Sequence, residues 1–399
     1  MITSKALFPK KPNMNHGIYL DNNTTTPMSN LAISKMLPFL TDMWGVSSAP
    51  HSMGQQLFPA IEENLKAIYA LVGANEKQHF VFTSSGAEAI NQAIFSTYFD
   101  VTRLTGKNHF ITSQIDEAPS IMSIGRLEQL GCIGKMVEPD KEGRITPDIL
   151  SEAISPRTAM ISLSWANGLT GVINPVKEIA ELCKSRGICL HLDATHVLGK
   201  LFYDLDEIGA DMITFNGDQI HGPKGSGGLF YREGMKCSPL IVGGLEQAGG
   251  RAGAINMPAL AALGQAAREM VENRDLICTE TARLRDLLEA GILSEYPEAQ
   301  VLFKEQERLP NCTTIVFPGI FNEALLYALN RKLIFANIGG GSFQQIGLVL
   351  RACGVPDILA NSAVSFGLSR ETSADQIERA VAMISEIASK LRKATAQLV

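Results

Sequence analysis

No Cys-x-x-Cys pair occurs in this 399-residue chain, although it holds seven cysteines. They are odd in number and scattered, at Cys132, Cys183, Cys189, Cys237, Cys278, Cys312 and Cys353. That excludes a disulfide or zinc framework and implies free thiols in a reducing compartment. A basic excess is also missing: 35 Lys+Arg stand against 41 Asp+Glu, for a net charge of -6. Such a surface does not neutralise a phosphate backbone, so nucleic acid is not expected as a partner. No apolar run is long enough for a bilayer span, and Met1 to Gly17 contains no apolar signal region. A soluble, cytoplasmic protein without a membrane partner is expected. Aromatics are few, at 7%, and no repeat or low-complexity linker interrupts the chain. With 45% hydrophobic residues, 35 Gly and 18 Pro, disorder, collagen and coiled coil are excluded. The length is ample for a core and suggests two domains.

What the chain does hold is an alternation of strand-like and helix-like stretches. His79–Thr83, His109–Ser113, Ala159–Ser164, Ile188–Leu192 and Met212–Phe215 read as strands. Ala87–Tyr98, Ser120–Leu130 and Val176–Ser185 carry helical spacing of their apolar residues. This order predicts an α/β domain with a mostly parallel sheet, over residues 18–255. Ligands of such sheets sit beyond the carboxyl ends of the strands. Ser84–Gly86, Asp116–Glu117, Asn167, Asp193–His196 and Asn216–Gln219 are therefore expected at one rim. Residues 256–399 change pattern: a long helix over Met257–Glu289, a strand at Thr313–Phe317 and a helical tail over Ser373–Leu398. They predict a smaller α+β domain, with residues 1–17 as an arm packed on it.

Six segments, in order, resemble the cysteine desulfurases of the class V aminotransferase family, pyridoxal phosphate (PLP) enzymes of fold type I. They are Tyr19–Pro27 (YLDNNTTTP), Ala49–Gly54 (APHSMG), Phe82–Glu88 (FTSSGAE), His191–His196 (HLDATH), Ile220–Gly225 (IHGPKG) and Arg251–Pro258 (RAGAINMP). The resemblance runs from Tyr19 to about Arg370. It implies a fold-type I homodimer whose pockets are each completed by the loop around Arg251 of the other chain.

The same resemblance marks departures. The family's Schiff-base lysine falls at Gln219, whose amide nitrogen is not nucleophilic and cannot form an imine. Asp218 stands for a histidine near the phosphate, where a carboxylate repels a dianion. Glu117 stands for the ring-stacking histidine. Ala87 stands for a phosphate-loop threonine, and Ala254 for one from the partner subunit. Ser365 replaces the arginine that clamps the substrate carboxylate. The sulfur-accepting cysteine falls at Phe343, in a loop over 338–345 that has no thiol. Cys353, the nearest cysteine, is a poor substitute. One engineered lysine knock-out does not account for so many changes. Lys224, five residues on, belongs to the Gly-Pro-Lys-Gly turn.

Part of a cofactor pocket survives. Asp193 suits a pyridinium nitrogen, His196 and Asn167 a ring hydroxyl. Ser85, Gly86 and Ala87 precede a helix, whose N–H groups suit an anion; Asn216 adjoins them. The leading expectation is a cysteine desulfurase-like pseudoenzyme, a non-catalytic homodimer binding a small anion, a PLP-like ligand or a protein such as an active desulfurase. The alternative is an active PLP enzyme on amino acids, using Lys224, another amine or non-covalent PLP. A third reading gathers Glu117, Asp193, His196 and Asp218 around a cation, although no metal motif supports it.

Overall fold

The computed structural model describes residues 17–75, 78–340 and 344–396. In chain order its strands are β1 (Ile18–Tyr19), β2 (Gln78–Thr83), β3 (His109–Ser113), β4 (Ile133–Val137), β5 (Thr158–Ser164), β6 (Cys189–Asp193), β7 (Met212–Asn216), β8 (Gly227–Arg232), β9 (Gln300–Val301), β10 (Cys312–Val316), β11 (Ile334–Phe335), β12 (Gly339–Gly340), β13 (Gln344–Gln345) and β14 (Ala363–Gly367). Seven of them form the main sheet, in the order β2-β8-β7-β6-β5-β3-β4. β3 to β7 pair in parallel with their neighbours, while β8 runs antiparallel between β2 and β7. This is the expected α/β architecture with a mostly parallel, mixed sheet.

Helices cover both faces of the sheet, so strand residues of either parity are buried. Every residue of β5 is buried. Met160 packs on one side with Phe110 and Leu229. Ile161 packs on the other with Ile111, Leu190 and Ile213. Continuous apolar runs are the sequence sign of such two-sided burial. Beneath the rim, His191 bridges three strands. Its Nδ1 lies 2.8 Å from Ser162 Oγ and its Nε2 lies 2.9 Å from Thr214 Oγ1. Burial pushes its ring down to about 3, so it is neutral at pH 7.

Two strands of the main sheet carry no signal that the sequence reading used. β4 is an edge strand with only Val137 buried. β8 opens with Gly227 and Gly228, which have low strand propensity. Gly227 is there for space: a Cβ would lie 2.5 Å from Ser85 C and 2.7 Å from Gly86 N. The strand can thereby press against the turn that begins the cavity-lining helix.

The helices used below are α1 (Asn30–Thr41), α2 (Phe58–Val72), α3 (Gly86–Thr97), α4 (Met257–Glu272), α5 (Arg274–Glu295) and α6 (Ala374–Ala396). The expected single helix over Met257–Glu289 is therefore two. At Asn273 the backbone leaves the helical region, with φ -112° and ψ 12°, and its Nδ2 donates to Glu269 O at 2.8 Å. Beyond the break α5 keeps only Ile277 in the core of the main sheet and turns to a second one. Leu260 and Leu263 of α4 join the core of the main sheet. Leu284, Leu288 and Ile292 of α5 join a second core with Ile315, Phe366 and α6. β14, β10 and β9 form a separate three-stranded sheet there. No described helix is long and apolar enough to cross a membrane. Residues 1–16, and with them nearly all of the expected arm, lie outside the described residues.

Candidate functional site

β2, β3, β5, β6 and β7 all end at one rim, and the loops that follow enclose a cavity of about 370 Å³. Of the predicted residues, Ser85, Gly86, Ala87, Glu117, Asn167, Asp193, His196, Asn216 and Gln219 line it. Asp218 does not. Among the described residues, no lysine or arginine lines it.

The turn into α3 was expected to offer its N–H groups to an anion. The structure corrects that expectation for Gly86, whose N donates to Asn216 Oδ1 at 3.1 Å. Ser85, the N-cap, accepts from Glu88 N at 3.2 Å. Glu88 Oε2 in turn accepts from Ser84 N at 2.9 Å and from the Ser84 hydroxyl. Burial raises the Glu88 carboxyl, but Arg251 and Ser84 outweigh it and hold it below the usual range. Arg251 Nε lies 2.9 Å from Glu88 Oε1. A carboxylate of the chain itself thus stands at the positive end of α3.

Gln219 is buried, at 4% exposure. Its Nε2 donates to Asn23 O at 3.0 Å and to Thr24 O at 2.7 Å. Two carbonyls can accept only from nitrogen, which fixes the orientation of the amide. Its Oε1 has no hydrogen-bond partner.

Asn167, expected to reach a ring hydroxyl, lines the cavity. Its Oδ1 already accepts from Leu169 N, Thr170 N and Thr170 Oγ1, at 3.0, 2.9 and 3.2 Å. Its Nδ2 donates to Ile115 O at 2.9 Å. Asn167 shapes its own turn and has no free acceptor.

Asp193 ends β6 and accepts from Thr195 N and Thr195 Oγ1 at 3.1 and 2.7 Å, both on Oδ1. Burial, chiefly, and the nearby Glu117 push its carboxyl up to about 6, against the lowering effect of Thr195 and His196. His196 follows three residues later. Its Nε2 lies 3.2 Å from Glu117 Oε1, and its Nδ1 has no partner. The imidazole needs Gly168 opposite it: a Cβ there would lie 2.3 Å from His196 Nε2.

Asp218 faces away from the expected cation cluster. Its Oδ2 accepts from Thr25 Oγ1 at 2.7 Å, and its Oδ1 accepts from Asn216 Nδ2. Among the described residues, no three His, Cys, Asp or Glu side chains are placed to hold a metal ion. Lys224 donates to Thr25 Oγ1 at 2.8 Å, and its side chain is 72% exposed, outside the cavity lining. Lys200 is buried, and its Nζ has no partner. Burial pushes it down to about 8, but it is not a lining residue either.

Ser365 sits on β14, buried, and donates to Leu169 O at 2.6 Å. Ala254 is exposed. Phe343 lies outside the described residues. Cys353 is buried and its thiol is pushed up to about 12 by burial first and Asp140 second. It does not line the cavity. Sequence reading did not single out Asn23, Thr24, Asn337, Gly339 or Gly340, which also line the cavity. Asn23 and Thr24 lie in the Tyr19–Pro27 segment, and Gly339 and Gly340 in the 338–345 loop, both already marked in the sequence.

The sequence profile described as aminotransferase class-V matches residues 18–379. The chain belongs to that family. Cysteine desulfurases of Trichormus azollae and Bradyrhizobium diazoefficiens are each 36% identical to it. The first aligns over 381 residues, 94% of both chains. The second aligns over 379 residues, 94% of this chain and 95% of the relative. Among solved structures, a NifS-like protein superposes with a TM-score of 0.87 at 26% identity, over 94% of this chain and 100% of that one. A NifS-like protein from Rickettsia africae gives 0.83 at 24%, over the same shares, which speaks for the fold alone.

Proposed function

We propose that this member of the class V aminotransferase family keeps the desulfurase scaffold as a binding protein and does not carry out lysine-dependent PLP chemistry. The observation that carries the reading is Gln219. It stands where the resemblance puts the Schiff-base lysine, and its nitrogen is held by Asn23 and Thr24 carbonyls. An amide nitrogen shares its lone pair with the carbonyl and does not attack an aldehyde.

The rest of the cavity supports the same reading. Among the described residues, no primary amine lines it. At the α3 turn Gly86 N, Glu88 N and Ser84 N are engaged by Asn216, Ser85 and Glu88. Glu117 and Asp193 add carboxylates, and Ser365 offers no cation for a substrate carboxylate. Covalently attached PLP does not fit these residues. Borohydride reduction in the presence of PLP, followed by mapping of every lysine, tests the reading.

A second reading, an active enzyme with a displaced amine, draws on one observation. Lys200 is a buried amine without a partner, held down to about 8. The same mapping decides between the two.

The proposed protein is a homodimer joined through α1 and the loop before Arg251. Leu37, Leu40 and Trp44 are 53%, 59% and 69% exposed, and Val242 and Leu245 are 76% and 89% exposed. Exposed apolar side chains on both segments suit burial in such a contact. Sizing chromatography is expected to return the mass of a dimer; a monomer would refute the assignment.

A further inference from the structure

We infer that the strap over residues 241–253 is a two-state latch: Gln247 holds a strained left-handed turn against the outer edge of β2, and its release loosens the wall of the rim cavity. The inference goes beyond the binding-protein reading above and does not depend on it.

The backbone comes first. Gln247, Ala248 and Gly249 stand in succession at φ 52°, 55° and 80°. Among the described residues, Gln247 and Ala248 are the only adjacent non-glycine residues in the left-handed region. A clash between Cβ and the following carbonyl opposes that conformation, and such strain persists only where surrounding contacts enforce it. Ala248 is exposed, so packing of its own side chain is not what enforces it.

The enforcing contact is an amide pair. β2 is a terminal strand of the main sheet, with no strand on its outer side. Gln247 takes the place of one at Phe82. Phe82 N donates to Gln247 Oε1 at 2.7 Å, and Gln247 Nε2 donates to Phe82 O at 2.9 Å. Towards the start of the strand, Tyr69 Oη donates to Gln78 O at 2.9 Å. The gain from two amide bonds and the cost of two left-handed residues are of the same order. A small difference between two such states is what a bistable element requires. With the pair broken, Gln247 and Ala248 can return to right-handed backbone.

The latch reaches the cavity through one short segment. Two residues after Phe82, Ser84 is bound through its N and its hydroxyl by Glu88. Arg251, on the strap, pairs with Glu88 at 2.9 Å. Gln247 and Arg251 thus fasten the strap on either side of Ser85, Gly86 and Ala87, which line the cavity. Gln92 adds a bond from Nε2 to Gly250 O at 2.9 Å. The exposed Val242 and Leu245 belong to the same strap, so a subunit docked on them would act on the cavity wall through it.

The test is hydrogen exchange of the full chain, read at single amides. Phe82 N–H reports the latch. Gly86 N–H, whose acceptor Asn216 Oδ1 lies outside the strap, reports the cavity wall. Gln247→Ala is expected to speed exchange at Phe82 by at least about tenfold, the scale of two lost amide bonds. The same variant is expected to speed Gly86 by at least about threefold, through shared local opening. Ala248→Gly relieves strain and leaves the bonds in place, so it is expected to slow both amides by about threefold. Thermal unfolding checks that each variant folds. Unchanged exchange at Phe82 in Gln247→Ala, or faster exchange there in Ala248→Gly, would overturn the latch. A rise at Phe82 without one at Gly86 would overturn the link to the cavity wall, and with it the inference.

Discussion

A Gln219→Lys variant supplied with PLP is expected to release no more sulfide from L-cysteine than PLP free in solution. Restoring the amine restores one group among several. A positioned base of this kind contributes roughly 100- to 10,000-fold in enzymes that hold the remaining groups in place. Here those groups are absent. The 338–345 loop contains no cysteine to receive sulfur, and transfer of sulfur needs a thiolate nucleophile. Ser365 is turned to the Leu169 carbonyl, so no guanidinium orients the amino-acid carboxylate. Hydrogen bonds to a charged group of that kind contribute about 1.5–3 kcal/mol each. The Glu88 carboxylate still holds the Ser84 donors beside the α3 turn. Sulfide and alanine would be quantified together against a free-cofactor control. Turnover by this single variant well above the control would mean that the lysine was the only group lost.

Arg308→Met is expected to lower the free energy of unfolding by about 3–5 kcal/mol, the cost of leaving a buried charge unpaired. Arg308 Nη1 lies 3.0 Å from Glu289 Oε1, and their side chains are 4% and 3% exposed. Arg285 stands 3.9 Å from the same carboxylate, too long for a replacement hydrogen bond. The pair also joins parts of the fold that are distant in sequence. Glu289 lies on α5 of the second core, and Arg308 bridges Val172 near the cavity turn. Urea unfolding measures the difference. Arg308→Met combined with Glu289→Leu is expected to recover most of the loss, because an apolar pair removes the orphaned charge. A loss below about 1 kcal/mol in the single variant would place the pair with weak surface bridges.

The rim was legible in the sequence because a parallel sheet sends every strand end to the same side. β3, β5, β6 and β7 are short apolar runs, and the polar residues just after them had to meet. Glu117, Asn167, Asp193, His196 and Gln219 could be gathered on that ground alone. Their bonding could not. Gly86 is capped by Asn216, 130 residues later in the chain. Gln219 is held by Asn23 and Thr24, 196 and 195 residues away. No local pattern encodes such pairings. Asn167 shows the opposite limit. Its partners, Leu169 and Thr170, are near neighbours, but side-chain capture by the turn depends on a conformation that residue types alone leave open. The break at Asn273 was hidden for a related reason. Helical spacing continues across it, and only the division between two cores requires the bend. β4 and β8 escaped because one is an exposed edge and the other begins with glycines selected for closeness, not for strand propensity.

The most direct test of the central claim is chemical. The intact protein would be incubated with excess PLP, reduced with borohydride, digested, and every lysine-containing peptide weighed. The expected result is no pyridoxyl group on any lysine at the rim, with Lys200 and Lys224 both unmodified. A reduced adduct on either of them, formed in stoichiometric yield, would contradict a scaffold that has given up its coenzyme tether.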